Sequence, residues 1–134
     1  SRHYVDDDVE PVSDERLVTL LQTSAREEGA EVVSGSHWTT DAPYRELCSK
    51  IAAYKKDGIV GVDMETSAMY ALGRFRNVPV CNLLVVSDEI WQEWKQIFRT
   101  PELKAATALA QRVILRVLES DALLGSEKTG GSPG

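Results

Sequence analysis

The chain has 134 residues, 43% hydrophobic and 27% charged, with a formal net charge of −6. This is the balance of one folded domain and excludes a disordered polymer. It also excludes a nucleic-acid surface, which needs a basic stripe, and a membrane span, which needs an apolar run of roughly 18 residues. Two cysteines, Cys48 and Cys81, are too few for a disulfide scaffold or a zinc cluster and read as buried thiols in a reducing cytoplasm.

Residues 1–12 are a polar, acidic lead-in that does not read as a signal peptide. Ser13 is a plausible N-cap, and Asp14 and Glu15 suit the positive end of a helix. Leu17, Leu20, Leu21, Ser24 and Ala25 recur at helical spacing, so an amphipathic helix is expected over 14–28, stopped by Gly29. Ala30 to Ser34 reads as a short strand closed by Gly35. His37 to Tyr44 is a polar, aromatic loop. Pro43 fits the first turn of the next helix, whose face is Leu47, Ile51 and Tyr54, ending at Gly58.

Ile59 to Val62 is a brief apolar strand, followed by a helical stripe of Met64, Ala68, Ala71, Leu72 and Phe75 that ends near Asn77. Val80 to Val86 is almost continuously apolar, as expected of a strand covered on both faces. Residues 87–100 are polar and aromatic, with Trp91, Trp94 and Phe98 as a lid, a contact surface or plain core. Pro101 opens a last helix with Leu103, Ala106, Leu109, Ala110, Val113, Ile114 and Val117 inward, and 121–134 is a flexible Gly/Ser/Pro tail. Alternating helices and strands predict an α/β fold with a short, mostly parallel sheet over 13–120.

Ligands of open α/β sheets bind beyond the carboxyl ends of strands. Three polar clusters stand there: Thr39-Thr40-Asp41, Asp63-Met64-Glu65 and Ser87-Asp88-Glu89. Each carboxylate alone also suits a helix cap. His37 reads as a surface or structural histidine.

Gly61-Val62-Asp63-Met64-Glu65-Thr66-Ser67-Ala68 resembles the ribose-binding strand-to-helix turn of the nucleoside phosphorylase superfamily, which usually reads Glu-Met-Glu where this chain has Asp-Met-Glu. Val85-Val86-Ser87-Asp88 resembles the strand end carrying that family's purine-side aspartate. Thr39-Thr40-Asp41-Ala42-Pro43-Tyr44 resembles its base-covering loop, with Pro43 in place of the usual Phe and Tyr44 or Trp38 as substitutes. The resemblance covers residues 13–120 and matches the C-terminal half of the family. It implies the C-terminal portion of a phosphorylase-type α/β/α fold, without the half that carries the phosphate cradle.

The implied reaction is phosphorolysis of a purine-type nucleoside to free base and ribose 1-phosphate. Asp63, Met64 and Glu65 would hold ribose, Asp88 would protonate or hydrogen-bond N7 of the leaving base, and Asp41, Tyr44 and Arg99 would contact the base. Positioned carboxylates suit this chemistry because they grip ribose hydroxyls and a protonated one assists the leaving group. Phosphate is the co-substrate; no metal, nicotinamide or flavin cofactor is implied. Two alternatives remain: a nucleosidase using water, and a truncated, non-catalytic nucleoside-binding or interaction domain. The implied partners are nucleoside and phosphate, with a homo-oligomer or the N-terminal half completing the sheet, and no nucleic acid or membrane. The isolated chain is expected to be cytoplasmic and catalytically silent.

Overall fold

The computed structural model describes residues 10–42, 48–90 and 95–120. The lead-in up to residue 9, Pro43, Tyr44, Leu47, Trp91, Trp94 and the tail after residue 120 lie outside the described residues. The elements in chain order are α1 (Glu15–Glu27), β1 (His37–Thr39), α2 (Cys48–Lys56), β2 (Gly61–Asp63), α3 (Thr66–Arg76), β3 (Asp88–Glu89), β4 (Lys95–Gln96) and α4 (Pro101–Glu119).

The helices start where their caps dictate. Asp14, rather than Ser13, caps α1: its Oδ1 accepts from the Leu17 N–H at 3.0 Å, satisfying one of the donors that the first turn leaves open. Thr100 does the same for α4 through the Leu103 N–H, with Pro101 in the first turn. α3 ends at Asn77, which takes the left-handed conformation at φ 54° that asparagine tolerates well.

α1 and α4 pack on each other. Ala25, Val113 and Val117 are buried, whereas Ala106 and Ile114 of the expected inward stripe are exposed. A charged clamp closes the pair at its edge: Glu28 accepts from Arg112 Nε at 3.1 Å and from Arg116 Nε at 2.7 Å. These two guanidinium groups hold the Glu28 carboxyl below the usual glutamate value.

The sheet is shorter than the sequence suggests. β1 and β2 pair in parallel, with His37 opposite Gly61, Trp38 opposite Val62 and Thr39 opposite Asp63. The ladder therefore begins inside the segment expected to be a loop. Ala30–Ser34, expected as a strand, forms no ladder, and Val33 is 84% exposed. β-propensity reflects packing on a pleated surface, and nothing among the described residues covers this run.

Val80–Val86 is likewise extended without being a strand. Its start is fixed, because Val80 C=O accepts from the Asp14 N–H at 2.9 Å. From Leu83 to Val86 no backbone hydrogen bond forms among the described residues, and Leu84 and Val86 are 49% and 64% exposed. The polar aromatic stretch beyond it holds an unexpected hairpin, with Asp88 opposite Gln96 and Glu89 opposite Lys95 in antiparallel register.

Gly73 and Gly61 mark two close approaches. A Cβ on Gly73 would stand 2.4 Å from Val80 Cγ2 and 2.9 Å from the Val78 carbonyl oxygen, and one on Gly61 would stand 2.5 Å from His37 Nε2. All three approaches are inside van der Waals contact, so the bare backbone lets Val78–Val80 lie on α3 and the His37 ring lie on β2. Cys48 is exposed and Cys81 half-buried, which corrects the expectation of two buried thiols. Burial pushes the Cys81 thiol upward, with the neighbouring Asn82 opposing it.

Candidate functional site

The β2–α3 junction is the most densely bonded part of the described structure. Parallel pairing sets Thr39 beside Asp63. Thr39 Oγ1 donates to Asp63 Oδ1 at 2.8 Å and accepts from the Ser67 N–H at 3.0 Å. Asp63 Oδ1 also accepts from the Thr66 N–H at 3.3 Å, and Thr66 Oγ1 donates to Asp63 Oδ2. Asn82 Nδ2 donates to Thr66 Oγ1 at 2.9 Å, and the Asn82 N–H donates to the Tyr70 hydroxyl at 3.3 Å. β1, β2, α3 and the extended segment are thus tied at one point.

The electrostatics follow from those bonds. Burial opposes ionisation of Asp63, but hydrogen bonds from Thr66 and Thr39, with His37 nearby, outweigh it and hold the carboxyl below the ordinary aspartate value. Burial raises the Tyr70 phenol, partly offset by the Asn82 N–H.

Asp63 therefore faces inward, with its side chain 11% exposed, and its oxygens serve the protein's own donors. Glu65 behaves differently. It heads α3 without making a side-chain cap bond, and it is exposed with Met64 beside it at 50%. Glu65 Oε2 accepts from the Met64 N–H at 3.1 Å, which occupies one oxygen of an otherwise exposed carboxylate.

The remaining expected site residues are distributed as follows. The Thr40 N–H donates to the Asp63 carbonyl at 2.9 Å, and exposed Asp41 lies two residues past the end of β1, as Glu65 lies two residues past the end of β2. Asp88 lies on the second sheet and accepts from Ser87 Oγ at 2.7 Å. Arg99 is exposed, with φ 62°, between β4 and α4. Tyr44 lies outside the described residues. Trp38 is taken into packing with α2, its ring centroid 4.6 Å from that of Tyr54 and Lys50 Nζ 4.2 Å above it, which removes it as a substitute base-stacking ring.

Among the described residues no three His, Cys, Asp or Glu side chains group as a metal site, and no helix is long and apolar enough to cross a membrane. A cleft of about 210 Å³ lies beside α3, lined in part by Asp14, Tyr70, Arg74 and Val80. Neither Glu65 nor Asp88 lines it, so the carboxylates, not the concavity, mark the candidate site. The sequence did not single out Thr66, Tyr70 or Asn82. Asn82 alone carried a signal, as an amide inside an apolar run.

Known proteins resemble part of this chain in sequence. The chain is 34% identical over 83 residues to a protein named purine nucleoside phosphorylase DeoD-type from Bacillus subtilis (strain 168), covering 62% of this chain and 35% of that protein. It is 32% identical over 87 residues to one of the same name from Buchnera aphidicola subsp. Baizongia pistaciae (strain Bp), covering 65% and 37%. The chain thus aligns with little more than a third of the length of these relatives. The sequence profile described as the phosphorylase superfamily matches residues 1–119, and together with the α/β order of the elements this establishes that the chain belongs to the phosphorylase superfamily.

Proposed function

We propose that this chain is the ribose- and base-binding part of a purine-type nucleoside phosphorylase, acting within a longer cytoplasmic protein. The observation that carries this reading is the exposed Glu65 beside half-exposed Met64, at a β2–α3 turn that Asp63 braces from within. Glu65 grips the ribose hydroxyls by charge-assisted hydrogen bonds, and Met64 lies on the apolar face of the sugar. Asp63 supports the grip by fixing the turn. Asp88 delivers a proton or hydrogen bond to N7 of the departing purine, an assistance of about 10²–10⁴-fold, and Asp41, Tyr44 and Arg99 contact the base.

Phosphate enters as co-substrate, held by residues outside this chain, and no further cofactor takes part. The names of the DeoD-type relatives support the purine side of the reading. The backbone of Leu83–Val86, which pairs with no other backbone among the described residues, and the exposed Leu84 and Val86 support a partner: a strand from the rest of the protein, or from a second copy, adds to this segment.

Two measurements test the proposal. The isolated 134-residue chain should release no base from inosine with phosphate and should self-associate in sedimentation. The complete protein should cleave inosine or adenosine in a phosphate-dependent way and slow on Asp88→Asn, with any uridine cleavage comparatively unaffected. A parent that cleaves uridine well and purine nucleosides poorly overturns the purine assignment, and base release independent of phosphate points instead to water as nucleophile.

A further inference from the structure

His37 takes no part in the reading above, yet it is the side chain with an unmet need. Its Nδ1 is buried and has no hydrogen-bond partner, a state that is unfavourable for a polar group. The nearest opposite charge is Asp63 Oδ2 at 3.5 Å, beyond the ~2.7–2.9 Å of a charge-assisted hydrogen bond.

We propose that His37 and Asp63 form a proton-operated latch that sets the turn carrying Met64 and Glu65. A second ring proton makes both nitrogens donors and the ring cationic, so that Nδ1 then holds a charge-assisted bond to the carboxylate. The gap then closes, and Asp63 carries with it the Thr66 N–H and hydroxyl that begin α3. Loss of the proton reopens the gap.

Asp63 from β2 is the ionisable group that faces the ring. Near the pair stands Tyr70 of α3, whose phenol senses the charge of Asp63, while Lys50 and Tyr54 of α2 pack on Trp38, the next residue of β1, whose side chain leaves by the opposite face of the strand. Of these side chains, histidine is the type whose charge changes between about pH 5 and 8.

The latch rests on the Glu65 reading only for its consequence, a pH-dependent hold on ribose. Its existence is tested without nucleoside, so failure of either leaves the other standing. In the isotope-labelled chain, the His37 ring signal and the Thr66 and Ser67 amide signals should follow one common curve as the pH is lowered. In Asp63→Asn the His37 ring should still titrate while the amide step is lost. In His37→Gln the amide step should vanish, with His3, the other histidine, titrating as before. Amides that stay still while the His37 ring titrates, or an amide step that survives His37→Gln, overturn the latch. The unsubstituted chain alone decides the first of these outcomes if a variant does not fold.

Discussion

Thr39 and Asp63, 24 residues apart, are joined by a 2.8 Å hydrogen bond across the parallel pair, and the same Thr39 hydroxyl accepts the Ser67 N–H of α3. One oxygen therefore ties strand to strand and strand to helix. Thr39→Val keeps the shape and removes both bonds. Because one partner is a carboxylate, the loss should be about 1.5–3 kcal/mol, read as a lower urea midpoint with an unchanged slope. An unchanged midpoint would mean that Thr39 holds nothing.

The Asp63 carboxyl sets a pH dependence of known sign. Its folded value lies below the ordinary one, so its contribution is fully present above the unfolded value of about 3.9. That contribution is lost as pH falls through the lower folded value. The fall in stability on acidification below about pH 4 should be shallower in Asp63→Asn than in the unsubstituted chain. Equal slopes would show that Asp63 titrates alike folded and unfolded.

Glu65 should separate stability from function. Its side chain makes no cap bond and is exposed, so Glu65→Ala should change the folding free energy of the chain by no more than about 0.5 kcal/mol. In the complete protein the same change should remove about 2–4 kcal/mol of transition-state stabilisation, measured as kcat/KM for a purine nucleoside. A large stability loss with unchanged kcat/KM would make Glu65 a structural residue.

Gly73 should tolerate no side chain. Gly73→Ala places a methyl group against Val80 and the Val78 carbonyl, which should destabilise by about 1–3 kcal/mol through overpacking, despite the better helix propensity of alanine. Thermal unfolding of the variant gives the sign directly, and a raised Tm would show that Val78–Val80 yields without cost.

The sequence by itself determined the four helices of the described residues, the cap of α1 within a residue, the start of α4 at Pro101, and the strand-to-helix turn at Asp63-Met64-Glu65. These are local matters: a 3.6-residue apolar period, a hydroxyl or carboxylate before a first turn, and a proline at its start are decided by near neighbours. Strands are not local. His37–Thr39 became a strand because β2 supplies its ladder, while the better-looking Ala30–Ser34 and Val80–Val86 did not, because no partner reaches them among the described residues. The division of labour between the two acidic residues of the turn is of the same kind. The sequence set both at the sugar, Glu65 as the grip and Asp63 in support, and only the arrival of Thr39 from β1 and of Thr66 from α3 shows that the Asp63 carboxylate is consumed by the protein's own donors while Glu65 stays exposed. Partners distant in sequence decide which polar groups a fold consumes, since each buried donor or acceptor must be met by whatever the tertiary structure brings beside it.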